Sequence, residues 1–547
     1  MIHNKANPNA NDGRPPIILG LDARFVDGRP LSASDGGIVV APEGIFSIAR
    51  QDMAPGTPAA ELQPDGRWAV PAIRTGRATF LEDGRMQPTT YGAELEGARL
   101  NPDGTYGRLS PQELDDVKEL YGHMDESGTA PTADQAEFEQ RFWDMAHGMV
   151  DAATAAGQLA ASLSVFGQHD FGPEHANPHS YVGHVTRLME ERTGFNTTAT
   201  FRTAGAQAHT GVSDTMAAVE AAEALQYLGP ILAAPTLAGP LLRGGIANLT
   251  HATATPEQRA HMAASSVSAS ALGRPALSWR YLLRVLGSPS AGVWRRPAAD
   301  TKEEYLQRAN DQLAAGEINN VDRTHGWHAD RVRVVLDGKG ANTIEDCSAD
   351  TALGNPEVLV PLLLLRAGLT TALEEMAMRG RDPREVVARV LGTTALSREE
   401  RLRLAHNTML HHVSRYGNDA QAYGRKPGGW LPTLLEIARQ APFTKLTPAQ
   451  TAQLRRSFKT AAETRGAANR WCIDNGADAP TAQTWFDLGG LNNPAVYMLE
   501  HYKALVRQGK TPEQAIRAVE LSAGQALHHA SAQRRDGAPK SLQKAAA

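Results

Sequence analysis

Small or apolar positions alternate with polar ones over residues 201–212, the pattern of an enclosed strand that carries Arg202, Gln207 and His209. A helical run comes next at 215–228, then an apolar stretch punctuated by Pro and Gly to residue 245. Upstream, residues 17–25 and 37–41 read as strands around an Asp27-Gly28 turn. Shorter strand-like pieces at 68–73 and 77–81 lie in a turn-rich region. Period 2 returns at 91–100, where it puts Glu94 and Glu96 on one face. From Ser110-Pro111 to about residue 163 the pattern is helical, and a Pro-initiated helical segment starts near Thr255. Residues 325–336 alternate again, 342–350 read as their neighbouring strand, and a helix covers 357–378. Beyond Ser397 the chain is almost wholly helical, with starts at Ser397, Thr447-Pro448 and Thr511-Pro512.

This order predicts an α+β fold in five parts. A flexible arm at 1–16 precedes a turn-rich β region at 17–87. A sheet-centred unit at 88–395 leads into a helical region at 396–533 and a basic, mobile tail at 534–547. With 547 residues the chain is long enough for two to four domains, and 41% apolar against 21% charged residues describes an ordinary globular protein. A net charge of -5 gives no reason to expect nucleic acid. The polar first residues lack the apolar core of a secretory signal, and the longest apolar runs are short or broken, so no membrane partner is expected. Two cysteines, Cys347 and Cys472, cannot build a disulfide framework, which favours a reducing, cytoplasmic setting.

The candidate chemistry sits on the strands and loops. Adjacent carboxylates at Glu94 and Glu96 repel unless water screens them or a cation lies between them. A strand that brings Arg202 and His209 to one site suits anionic groups or a metal, although strand histidines are commonly structural. His169, Asp170, Glu174, His175, His179 and His184 crowd residues 166–184 without a compact zinc spacing. Arg274, Arg280, Arg284, Arg295 and Arg296 are interleaved with Trp279, Tyr281 and Trp294, which argues that some of these arginines are packed.

Four stretches, in order, resemble the glutamate–cysteine ligase-like carboxylate–amine ligases of the glutamine synthetase-like superfamily. Residues 91–100 resemble the G-x-E-x-E strand, and 202–212 the G-x-H-V-H-V-G-V strand. The helix and apolar run at 215–242 are similar to the segment after that strand in the family. Residues 327–350 resemble the W-x-x-R … G-T-I-E-x-R pair. The resemblance covers about residues 88–380. It implies an antiparallel sheet bent around a funnel, in which ATP phosphorylates a carboxylate and an amine displaces the phosphate. It also implies Mg2+ held by acidic residues and a histidine, with arginines on the phosphates.

By this resemblance Glu94, Glu96, His209 and Glu345 are the metal ligands. Arg331 matches the Arg after the Trp, while Arg333 and Arg202 are further catalytic candidates. Arg280 and Arg284 are assigned to the nucleotide. Two positions depart from the pattern: Gln207 stands for the first His of H-x-H, and Cys347 for the Arg of T-I-E-x-R. Two other readings therefore stay beside an active ligase, a catalytically silent relative and an unrelated α/β protein. The acid and amine are not legible, and homo-oligomerisation stays open.

Overall fold

The computed structural model describes residues 90–117, 121–168, 203–242, 276–281, 283, 298–305, 307–308, 343–441, 445–460, 462–464 and 493–535. It also gives the backbone of strands at 17–20, 37–41, 44–48, 61–62, 68–69 and 330–333. The earliest strands, β1 (Ile17–Gly20), β2 (Gly37–Ala41) and β3 (Gly44–Ile48), form a small antiparallel meander. β4 (Glu61–Leu62) and β5 (Trp68–Ala69) pair with each other.

The six-stranded sheet is antiparallel throughout. Its order is β10 (Asp330–Arg333), β11 (Thr343–Ala349), β9 (Ala206–Gly211), β6 (Tyr91–Leu100) and β7 (Met124–Gly128). β8 (Leu159–Ala161) pairs with the last three residues of β6. The stretches read from their period as strands thus meet in one sheet, with residues far apart in sequence placed side by side.

Period 2 sorts the two faces of that sheet. Tyr91, Ala93 and Leu95 of β6, Ala206 and Ala208 of β9 and Ile344 of β11 are buried in the main hydrophobic cluster. They meet helices α2 (Gln135–Ala155), α3 (Thr215–Ala233) and α4 (Pro356–Met378). The intervening residues, Glu94, Glu96, Gln207, His209, Glu345 and Cys347, are polar or ionisable and belong to the opposite face.

Local chemistry fixes where the helices start. Asp134 accepts from Glu137 N at 2.8 Å to begin α2, and Asp214 accepts from Ala217 N at 2.8 Å to begin α3. Capping boxes at Ser397 with Glu400 and at Thr447 with Gln450 open α6 (Arg398–Thr408) and α8 (Pro448–Ser457). A reciprocal pair between Thr511 and Gln514 does the same for α10 (Pro512–Arg535). Between α4 and α6 lies α5 (Pro383–Leu391), between α6 and α8 lies α7 (Pro427–Ala438), and α9 (Pro494–Arg507) precedes α10.

The helical reading of 110–163 needs correction. Among the described residues only α1 (Pro111–Val117) and α2 are helices there, and β7 and β8 interrupt the run. Met124-Asp-Glu-Ser-Gly has too few apolar residues to signal a strand, and its pairing with β6 from Glu94↔Gly128 to Ala98↔Met124 decides it.

The helices after residue 396 share the core of the sheet. Leu402 of α6, Trp430 and Leu434 of α7, Leu454 of α8 and Leu527 of α10 lie in the same cluster as the sheet's apolar face. An ion pair adds to this. The buried carboxylate of Glu223 on α3 accepts from Arg398 Nε at 2.9 Å and Nη2 at 2.5 Å, from Tyr227 OH at 2.6 Å and from Ala298 N at 2.8 Å. Helix α4 is long and apolar enough to cross a membrane by composition, yet 94% of its most apolar window is buried inside the fold and it reads as a core helix.

Candidate active site on the polar face of the sheet

Register brings the candidate residues together. Glu94 stands opposite Gln207, Gly92 opposite His209, and His209 in turn opposite Glu345. Three neighbouring strands, β6, β9 and β11, therefore contribute Glu94, His209 and Glu345 to one spot, where a ligand atom of each lies within 4.8 Å of the others. The environment is graded. Glu345 is buried, while the side chains of His209 and Glu94 are 15% and 30% exposed. His209 Nε2 lies 3.2 Å from Glu94 Oε1 but makes no aligned hydrogen bond and is itself buried. Two carboxylates and an imidazole nitrogen suit a divalent cation with oxygen and nitrogen ligands. At 4.8 Å, and with the effective dielectric of a site near a protein surface, two ionised carboxylates repel by roughly 3 kcal/mol.

Glu96 sits outside this group. Its Oε1 accepts from Gln207 Nε2 at 2.6 Å and its Oε2 from Gly205 N at 2.6 Å. Cys347 links the two ends of the face, its thiol lying 3.3 Å from Glu345 Oε1 and 3.5 Å from Gln207 Oε1. The departures at 207 and 347 thus touch each other and both carboxylates.

Arg280 reaches the same end from outside the sheet. It is fully buried; its Nη1 donates to Ala349 O at 2.7 Å and lies 3.7 Å from Asp350 Oδ1. A Cβ at Gly205 would stand 2.2 Å from Arg280 Nη2, so only glycine admits the guanidinium here. Burial opposes its charge, but Tyr281, Asp350, Glu96 and Cys347 more than offset that and hold its pKa above the usual arginine value. The family resemblance assigns Arg280 to the nucleotide, yet a nucleotide would meet it only by opening these contacts.

On the far face the neighbour of Glu345 is anchored too. Asp346 Oδ2 pairs with the buried Arg366 Nη1 of α4 at 2.6 Å, and Asp346 Oδ1 accepts from Ser348 N at 2.7 Å. Sequence reasoning missed this pair, because an arginine inside an apolar helix gives no sign of the strand residue it meets. Gly205 was missed likewise, although a glycine two residues before Gln207 in an alternating strand hints at close backbone approach.

The remaining candidates are placed in part. Arg331 is registered opposite Glu345 and Arg333 opposite Thr343 by the backbone of β10. Arg202, Arg284 and the residues of the His-rich loop from His169 onward lie outside the described residues.

No family model and no curated protein matches the chain. Among solved structures it is similar to a bifunctional glutathione synthetase from Pasteurella multocida, with a TM-score of 0.49 and 12% identity over 82% of this chain and 52% of that one. The chain therefore spans about half the length of that structure. It is also similar to the glutamate–cysteine ligase from Francisella tularensis in complex with AMP, with a TM-score of 0.43 and 11% identity over 82% of this chain and 98% of that one. Both likenesses are too distant to carry chemistry, which rests on the residues of the sheet.

Proposed function

We propose that this chain is an ATP-dependent carboxylate–amine ligase that forms an amide through an acyl-phosphate. The observation that carries the reading is the convergence of Glu94, His209 and Glu345 from three adjacent antiparallel strands onto one spot. The donor set fits Mg2+ or Mn2+, and His209 Nε2, buried and without an aligned hydrogen bond, would supply the nitrogen ligand. These three residues would hold the ion, whose charge would neutralise the phosphates as the phosphoryl group moves. In the first step the substrate carboxylate takes the γ-phosphoryl group and ADP leaves; in the second the amine attacks the acyl carbon and phosphate leaves.

The chain's own residues would shape the site for this. Glu345, buried and beside the Cys347 thiol, holds its carboxylate toward His209. The Arg366–Asp346 pair steadies the strand that carries it. Arg331, opposite Glu345 in register, and Arg333 next along that strand are the arginines proposed for the transferring phosphoryl group, with Arg202 and Arg284 as further candidates. The substrates would be a small carboxylate and a small amine, and ATP and the buried thiol suit a cytoplasmic setting.

One observation favours a second reading, a catalytically silent protein that keeps the fold for binding. Both oxygens of Glu96, the second carboxylate of its strand, are engaged by protein donors and not by the candidate ion site. Thermal shift with ATP and Mg2+ or Mn2+, followed by phosphate release across a panel of amino acids and small acids, separates the two. A ligase gains apparent stability from ATP plus metal by mass action and releases phosphate only when acid and amine are both present. Absence of both effects in the wild type supports the silent reading.

A further inference from the structure

Apart from the sheet, a cavity of about 570 Å³ runs along α7, from Lys426 before its start to Arg439 after its end, beside the end of α8. Its volume falls within the range of small-molecule sites. Among the described residues it is lined by four cations, Lys426, Arg439, Arg455 and Lys459, against one carboxylate, Glu463. Lys426 and Arg439 have outside partners, Asp419 at 3.1 Å and Glu436 at 3.3 Å. Arg455 and Lys459 are exposed, and the Lys459 charge, with that of Lys426, helps hold the Glu463 carboxyl below its usual range.

The backbone adds to this charge. No side chain caps the 12-residue helix α7, and Gly428 and Gly429 place no side chain between the first turn and the cavity; Pro427 has no N–H and Gly429 N already donates to Lys426 O at 2.9 Å, so Gly428 N–H is the donor its first three residues offer. Gly428 is also needed for packing, since a Cβ there would stand 2.8 Å from Phe458 O.

The independent sign of a ligand is Asn418, which lines the cavity and has no exposed surface. Its Nδ2 faces three acceptors, Ser457 O at 2.7 Å, Lys459 O at 2.9 Å and Asn493 Oδ1 at 2.8 Å, more than its two hydrogens can serve. That fixes the amide's orientation and leaves Oδ1 buried without a donor.

We infer that this cavity binds a small anion bearing an amine or hydroxyl beside its phosphate or carboxylate. The anion lies against the N-terminus of α7 and the Arg455 and Lys459 charges, and the neighbouring N–H or O–H supplies Asn418 Oδ1. The site is independent of the sheet's chemistry, so either can fail without the other.

The test uses the full chain in EDTA, which keeps metal-dependent binding at the sheet out of the measurement. Inorganic phosphate and O-phosphoserine are titrated by calorimetry into wild type, Gly429→Ala and Gly429→Asp. A Cβ at 429 meets only Arg425 Cβ at 3.8 Å, and both substitutions favour the helix over glycine, so neither variant loses stability. The alanine variant gives the affinity with an uncharged side chain at 429. The aspartate, placing a negative charge where the anion sits, weakens it by about tenfold or more. O-phosphoserine binds several-fold tighter than phosphate in the wild type. Equal affinities for the alanine and aspartate variants, or no wild-type binding of either probe at millimolar concentration, overturns the site. Equal affinity for the two probes overturns the role given to Asn418.

Discussion

At one end of the sheet's polar face, Glu96 is enclosed by a backbone N–H, a glutamine amide and a nearby buried guanidinium. At the other end Glu94 and Glu345 crowd His209, whose Nε2 makes no hydrogen bond. The same strands build both ends, so secondary structure does not explain the difference. Side-chain chemistry does. Gly205, Gln207 and Arg280 bring hydrogen and positive charge to Glu96. Around His209, two carboxylates and an imidazole nitrogen stand within 4.8 Å of one another, a donor set that suits an ion. The contrast locates the proposed chemistry and also explains why two residues of unlike type, Gln207 and Cys347, sit at the seam.

The largest expected effect breaks the ion-demanding end. His209→Ala and Glu345→Ala each remove a ligand, and phosphoryl transfer should lose on the order of several kcal/mol of transition-state stabilisation, about a thousandfold or more in phosphate release. Circular dichroism and urea midpoints should remain near wild type for His209→Ala, whose side chain is partly exposed. Equal turnover in wild type and both variants would remove the site from these residues.

A smaller effect probes the settled end. Gln207→Leu keeps the volume near Cys347 but takes the amide from Glu96, leaving a carboxylate oxygen short of a donor. The cost is about 1–3 kcal/mol in unfolding free energy, read from urea denaturation with an unchanged slope. Metal affinity at Glu94, His209 and Glu345 should hold within a few-fold by calorimetry. A variant that loses metal binding but not stability would show that the two ends are one site.

The range of each interaction decides how much of this was legible in the sequence. Period 2 announced β6, β9 and β10, with β11 read as the neighbour of β10, and capping residues announced the starts of α6, α8 and α10, because those signals are local. The family resemblance named Glu94, Glu96, His209 and Glu345 on those strands as metal ligands, and Glu96 lies outside the group the other three form. β7 was hidden, since its polar residues are strand only by pairing with β6. The shared core of the sheet and the later helices was equally hidden, as amphipathic helices do not declare their partners. Arg280 stood out for its surroundings of Trp and Tyr, but its place beside Glu96 depends on Gly205, far along the chain.

A third carboxylate sharpens the comparison and carries the smallest expected effect. Glu520 of α10 is buried and accepts from Gly167 N at 2.9 Å, Gln168 Nε2 at 2.6 Å and Tyr106 OH at 3.2 Å. Its donors resemble those of Glu96, a glycine N–H and a glutamine amide, with Tyr106 OH as a third. Burial dominates, and the carboxyl is pushed up to about 7, the hydrogen bonds and the more distant Arg517 only partly opposing. A folded-state value above the unfolded one means that the folded protein holds the extra proton. This contribution to stability is therefore fully present below about pH 4.5 and is lost as pH rises toward 7. One proton is worth at most about 1.4 kcal/mol per pH unit, so between about pH 5.5 and 6.5 the loss is on the order of 1 kcal/mol. Glu520→Gln cannot titrate, and its melting temperature should vary less across that interval than the wild type's, measured in matched buffers of constant ionic strength. An unchanged pH slope in Glu520→Gln would mean that Glu520 is already ionised in the folded protein. Three neutral donors would then settle a buried carboxylate as well as a guanidinium does, and Arg280 would lose its place in the contrast.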